Sequence, residues 1–293
     1  MGQLRRIGTI VTSVATVTMA APCFAAPSAS AAQCPDAEIV FARGTTEQPG
    51  AGPTGDAFVA AVRTQVGAKS VGLYGVDYPA TMAFSTAVQG ISDARAHILS
   101  TVATCPATKL VLGGFSQGAA VMGFVTASAV PDGVSPDDVP APMPPDVANH
   151  VAAVVLFGKP STRFMKAINH PDVEVGPNYA AKAIDLCVDN DLVCDPHGSS
   201  FSVHDTYVES GMVDQGATFA TQRLQALWAA DAAAAAAAGT DAGTGVTTPA
   251  TPTPSPLSND QGPVPHLAPA APVLPGPPTL PGPTPLSASA PAI

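Results

Sequence analysis

The chain has 293 residues, a formal net charge of −10, and 12 Lys plus Arg against 22 Asp plus Glu. So few cations leave no footprint for nucleic acid and no basic patch for an anionic membrane surface. An acidic, modestly charged surface suits an uncharged substrate and does not favour an anionic one.

Residues 1–32 read as a secretory leader. Arg5 and Arg6 supply the positive start, and an acid-free apolar stretch runs from Ile7 to about Ala21. Ala29-Ser30-Ala31 and Ser30-Ala31-Ala32 offer small-residue cleavage sites. The rival reading is a membrane anchor, but the stretch is short and interrupted by Ser, Thr and Pro. A secreted protein without stable membrane insertion is therefore expected. Cleavage removes Arg5, Arg6 and Cys23 and no acid, which takes the net charge to −12 from −10.

Residues 33–231 follow, enough for one domain with a sizeable core. Apolar runs predict strands at Glu38–Ala42, Val71–Val76, Lys109–Gly113, Val151–Phe157 and Ala183–Leu186. Amphipathic runs predict helices at Ala57–Val66, Phe84–Val102 and Met212–Ala230. Strand–helix alternation with continuously apolar strands argues for an α/β fold, a mainly parallel sheet with helices on both faces.

The pentapeptide Gly114-Phe115-Ser116-Gln117-Gly118 lies between the apolar run Leu110-Val111-Leu112 and the helix-like run from Ala119 to Val125. Strand, sharp turn and helix place a serine in a strained turn, its hydroxyl exposed above the sheet edge. The following helix points free N–H groups at the same spot. A chain entering that helix travels away from the serine, so the loop Pro131–Asp146 is expected at the far edge. The loops expected on the serine side are Thr45–Asp56, Tyr78–Ala83, Gly158–Tyr179 and Val188–Gly211.

Serine needs a base within hydrogen-bond reach, and the base needs an orienting carboxylate. In this strand–turn–helix setting the chain order is serine, acid, histidine. His97, His150, His170 and His266 fall at unsuitable places, leaving His197 and His204. His204 has more chain with which to swing back over the serine. Asp189, Asp191 and Asp195 all compete for the acid by position. Four cysteines survive cleavage of the leader, and an even count in an exported chain suggests two disulfides. Cys187 and Cys194 can close a short loop, which leaves Cys34 with Cys105. No spacing fits a zinc site, so no metal is expected.

Four ordered blocks carry a resemblance to the cutinase family, specifically the secreted cutinase-like esterases of actinobacteria. They are Phe41-Ala42-Arg43-Gly44-Thr45-Thr46-Glu47, then Gly113-Gly114-Phe115-Ser116-Gln117-Gly118, then Cys187 to Cys194, then His204-Asp205-Thr206-Tyr207. Phe115 stands where the family pattern has Tyr. The resemblance spans nearly all of 33–231 and neither end of the chain. It implies a compact three-layer α/β-hydrolase sandwich. It implies Ser116 as nucleophile, Asp191 as acid and His204 as base, with the N–H groups of Thr45 and Gln117 as the oxyanion hole and the Thr45 hydroxyl as a further donor. It implies the same disulfides, Cys34–Cys105 and Cys187–Cys194, and no cofactor. The expected reaction is ester hydrolysis on an ester or lipid substrate, by a monomer. A lipase, phospholipase or acetylxylan esterase would use the same residues, and a wall-associated binding protein is the non-enzymatic rival.

From Ala232 onward the chain turns to alanine and then to Thr/Pro/Ala/Gly sequence such as Thr247-Thr248-Pro249-Ala250-Thr251-Pro252. Dense proline favours extended, solvated backbone, so residues 232–293 are expected to be a disordered tail. A passive spacer is the first reading, and a wall-associating or glycosylated stalk is the alternative.

Overall fold

Five strands form one sheet: β1 (Ala37–Ala42), β2 (Val71–Gly75), β3 (Lys109–Phe115), β4 (Val151–Phe157) and β5 (Ala183–Leu186), in the order β2-β1-β3-β4-β5. Every neighbouring pair is parallel. The computed structural model describes Gly2 and residues 34–241, so the leader and the sequence beyond Asp241 lie outside the described residues.

The strands are apolar throughout because both faces of the sheet are covered. Val40, Ala42, Leu110, Leu112, Val154 and Leu156 point to one face. There they meet α2 (Ala87–Thr104) and α3 (Gln117–Thr126) through Ile91, Ala94, Ile98, Met122 and Val125. Ile39, Phe41, Val111, Val155 and Phe157 point to the other face. There they meet α1 (Gly52–Val66) and α7 (Met212–Asp241) through Phe58, Val62, Ala217, Ala220 and Leu224. Phe41, Phe58 and Phe157 form a ring cluster with centroids 5.5–6.3 Å apart. Burying each such ring contributes about 1.5–3 kcal/mol.

The strand order fixes where a ligand can sit. From β1 the chain crosses by α1 to β2 on one side, and from β2 it returns by α2 to β3 on the other. Loops leaving the carboxyl ends of β1 and β3 therefore diverge and open a crevice. Thr45 follows β1 and Ser116 follows β3.

Three differences in element bounds or loop position have physical causes. Helix α1 begins at Gly52 rather than Ala57, started by a proline in its first turn; proline is preset for that position. Helix α7 runs to Asp241, past the expected end at Ala230, because the alanine run has the highest helix propensity. Asp231 of this helix pairs with Lys109 of β3 at 2.8 Å, and residues 232–238 are exposed. Third, the loop Pro131–Asp146 is not confined to the far edge. It shares a cavity with His170 and Pro171, which belong to a serine-side segment, and with Phe84 and Ser85, which directly follow another. Helix α3 has only ten residues and so carries the chain about 15 Å, a distance a few extended residues recover.

The short helices α4 (Thr162–Ala167), α5 (Pro177–Ala180) and α6 (Phe201–His204) were not expected. Segments of four to six residues show too little of a 3.6-residue period to be recognised.

Candidate active site

Ser116 sits between β3 and α3 with φ 54° and ψ −117°, a strained conformation for a non-glycine residue. Its N–H donates to the Phe157 carbonyl at 2.9 Å, which ties the turn to β4. The flanking glycines are required by close approach. A Cβ on Gly118 would overlap the Ala42 carbonyl of β1, and one on Gly114 would overlap the Gly118 carbonyl.

His204 is delivered by α6, whose N-cap Ser200 accepts from the Val203 N–H at 3.3 Å. Its Nδ1 is 2.7 Å from Asp191 Oδ2. Asp191 is fully buried and His204 nearly so. The same Oδ2 accepts from the Tyr207 hydroxyl at 2.7 Å, and Oδ1 accepts from the Val193 N–H at 2.8 Å. Burial works against the carboxylate, but the hydrogen bonds from His204, Tyr207 and Val193 outweigh it and hold its pKa below the ordinary Asp value. Burial and the same carboxylate push the Tyr207 hydroxyl far above its usual range, so it stays a donor. His204 Nε2 is buried and makes no hydrogen bond among the described residues, Ser116 Oγ included. Such bonds often tighten only when substrate is bound.

The acids and histidines that competed by position separate clearly. Asp189 is exposed. Asp195 accepts from the backbone N–H groups of Asn190 and His197 at 2.9 and 2.8 Å, so it braces the loop. His197 is exposed. His170 reaches the same cleft as Ser116, but among the described residues it has no carboxylate partner.

The loop that carries Asp191 is closed by the disulfide Cys187–Cys194, and Cys34–Cys105 ties the chain ahead of β1 to the end of α2. Cys187, Cys194 and Asp191 bring three potential metal-binding atoms together, but both sulfurs are committed to the disulfide. Arg163 donates from Nη2 to the Gly198 carbonyl at 2.6 Å and holds the far side of the loop.

The loop after β1 is clamped from within. Arg43, buried, donates to the carbonyls of Glu47 (2.9 Å), Val76 (3.2 Å) and Tyr78. Glu47 Oε2 accepts from the Gly44 N–H at 2.6 Å. Burial raises the Glu47 pKa, and the Gly44 N–H and the Arg43 charge offset that only in part. Thr46, at φ 64°, donates its N–H to the Ala80 carbonyl at 2.6 Å. These bonds leave the N–H groups of Thr45 and Gln117 with no protein acceptor among the described residues. Gln117 Nε2 donates to the Thr81 carbonyl at 3.0 Å and joins α3 to the loop before α2.

Thr45, Phe115, Ser116 and His204 line one cleft of about 420 Å³, with walls from Phe164, Ile168, His170 and Val193. Two of its lining residues, Met82 and Phe201, are 82% and 61% exposed and form an apolar rim.

The sequence matches the family described as Cutinase over residues 33–224. The chain belongs to the cutinase family. It is 58% identical over 167 residues to "Probable carboxylesterase Culp5" of Mycobacterium tuberculosis, covering 57% of this chain and 95% of that protein. It is 43% identical over 227 residues to "Phospholipase Culp4" of the same organism, covering 76% of this chain and 94% of that protein. The catalytic core domain of acetyl xylan esterase from Trichoderma reesei shares the fold with a TM-score of 0.54 at 23% identity, covering 65% of this chain and all of that domain. The protein is a cutinase-like carboxylesterase of the serine hydrolase type.

Within this cutinase-family site, sequence reasoning left several residues without a role. Glu47 and Tyr207 stood in the matched blocks, and their hydrogen bonds supply the reason. Phe115, in place of the family's Tyr, stacks on His204 with centroids 4.9 Å apart. Phe84, Met82 and Phe201 carried no signal, because their placement depends on how separate loops meet.

The Tyr207 bond makes a prediction with a definite sign. Asp191 has a depressed pKa in the fold, so its contribution to stability is present above the unfolded pKa. It is lost as pH falls through the folded pKa. Tyr207→Phe removes one bond that depresses that pKa, so acid unfolding should begin at a higher pH than in wild type. Circular dichroism across an acid titration reads this directly. The same variant should lose about tenfold in kcat, the usual order for one bond to a charged group. An unmoved acid transition would remove Tyr207 from the set that holds Asp191.

Proposed function

We propose that this carboxylesterase is a secreted enzyme in which Ser116 is the nucleophile, His204 the general base and Asp191 the orienting acid. The observation that carries the reading is the 2.7 Å His204–Asp191 bond, opening into the cleft that Ser116 enters from its strained turn. His204 Nε2 takes the proton of Ser116 as Oγ bonds to the substrate carbonyl carbon. The carbonyl oxygen becomes an oxyanion and rests on the N–H groups of Thr45 and Gln117, with the Thr45 hydroxyl beside them. The carbon–alkoxide bond breaks, and His204 gives its proton to the leaving alcohol. Water then attacks the acyl-enzyme by the same route and releases the acid. Asp191 stays ionised throughout and stabilises the imidazolium.

The substrate read from the cleft is an ester with an apolar acyl group, either a short-to-medium acyl ester or a cutin-like polyester. Apolar walls and the exposed Met82 and Phe201 at the rim support it. A second reading, phospholipid hydrolysis, is favoured by the same rim and by the name of the phospholipase relative. Butyrate and acetate esters below their solubility limit should be hydrolysed with ordinary saturation kinetics, since the cleft opens to solvent. Activity appearing only above the solubility limit would favour the lipid-interface reading.

Export rests on the leader at residues 1–32, and no helix among the described residues is long and apolar enough to cross a membrane. The tail is read as a spacer or a wall-associating stalk on a monomeric enzyme. Truncation after Asp241 should leave turnover of soluble esters unchanged and the melting temperature within about 2 °C, because the charged anchor to the sheet, Asp231, is retained. Loss of activity on truncation would place part of the tail on the domain.

A further inference from the structure

We propose that the apolar cavity beside the cleft receives the distal part of a long acyl chain, with Phe84 and His170 as the partition that the chain displaces. The inference rests on the assignment of Ser116 as nucleophile and adds a binding site for the part of an acyl chain that the cleft does not hold.

The cavity has a volume of about 210 Å³ and lies between α2, α3 and the loop Pro131–Asp146. Phe84, Val88, Ile91, Phe124, Val134 and Val139 give it apolar walls, and Ser85, Asp138 and His170 are the polar residues on its lining. Apolar cavities of about 150 Å³ stay dry and accept benzene, so this one has room for about eight carbons. Its position gives that room a purpose. Phe84 and His170 line this cavity and also the cleft that holds Ser116 and His204. Their rings are 5.1 Å apart between centroids and tilted by 48°.

The partition is made of movable parts. Phe84 opens a three-residue 3-10 turn, Phe84–Thr86, and is only half-buried. His170 follows Asn169, which has φ 57°, in the loop after α4, and it too is half-buried. A butyryl group is short enough to stay in the cleft. A lauryl chain that passes the two rings would place its end among Val88, Val134 and Val139. Each methylene moved from water into such a site is worth about fourfold in binding. Blocking two or more of them should cost tenfold or more.

The test is the ratio of kcat/KM for p-nitrophenyl laurate to that for p-nitrophenyl butyrate, both kept below their solubility limits. Val139→Trp fills the cavity from the loop, and Val88→Phe fills it from α2. Each should lower the ratio by about tenfold or more. Phe84→Ala opens the partition and should raise the ratio several-fold. Two filled positions on different elements are used so that one misfolded variant, detected by its melting curve, leaves the other to decide. A ratio within about twofold of wild type in a filled variant that melts normally would overturn the proposal and send the chain across Met82 and Phe201 instead. That result differs from failure of the underlying assignment, in which wild type would not hydrolyse butyrate, or would do so undiminished in Ser116→Ala.

Discussion

Ser116→Ala and His204→Ala are each expected to lower kcat on a soluble ester by about 10⁶-fold, and Asp191→Ala by about 10⁴-fold. The serine and histidine losses should be nearly equal because the two act as one unit: without Nε2 the hydroxyl keeps its proton, and without the hydroxyl the base has nothing to activate. The acid's loss is smaller because the serine and the base both remain. Asp191 is buried and bonded to His204 Nδ1, so its removal costs the histidine its orientation and its ion-pair partner. His197→Ala should retain most activity, since that ring is exposed and its backbone N–H, which the substitution keeps, is what donates to Asp195 at 2.8 Å. An inactive His197→Ala beside an active His204→Ala would reverse the assignment.

Replacing both Cys34 and Cys105 with Ser should give the largest loss of stability among simple changes. The two residues are 71 apart in sequence, and closing such a loop restricts the unfolded chain by about 4 kcal/mol in the entropy treatment. For a domain of this size that corresponds to a fall of about 10 °C in melting temperature. The link also ties the end of α2 to the residues that lead into β1, the strand whose loop carries Thr45. Opening Cys187–Cys194, with 7 residues of separation, should behave differently. It restricts little chain, but it frames the loop that carries Asp191, so turnover should fall more than stability. Calorimetry with parallel kinetics on the two double-serine variants separates these outcomes. Equal melting temperatures for wild type and the Cys34/Cys105 variant would contradict the first.

The parts of the molecule legible in the sequence are those whose signal is local. All five strands, β1 to β5, stood out as short apolar runs, and both faces of the sheet are indeed covered. The turn at Ser116 was legible because strand, glycine-flanked serine and helix are contiguous. The proposed acid was not legible from spacing alone. Asp189, Asp191 and Asp195 lie within seven residues, and what separates them is burial and the bonds at Asp191, which only the folded loop creates. The family resemblance pointed to Asp191 where spacing could not. The loop Pro131–Asp146 was misplaced because its proline content says extended and exposed but not in which direction the chain turns after a ten-residue helix. Phe84 and His170, 86 positions apart, meet through tertiary packing that no period in the sequence encodes.

In the proposed reaction the hydroxyl of Ser116, activated by His204, attacks the ester carbonyl. Active-site titration with a fluorophosphonate reads this most directly, because the reagent needs an activated serine and remains attached to it. One label per chain is expected, mapped by peptide mass to the segment containing Ser116, and lost in Ser116→Ala. Labelling slowed by orders of magnitude is expected in His204→Ala. Stoichiometric label on another residue, or undiminished labelling of Ser116→Ala, would contradict the proposed reaction.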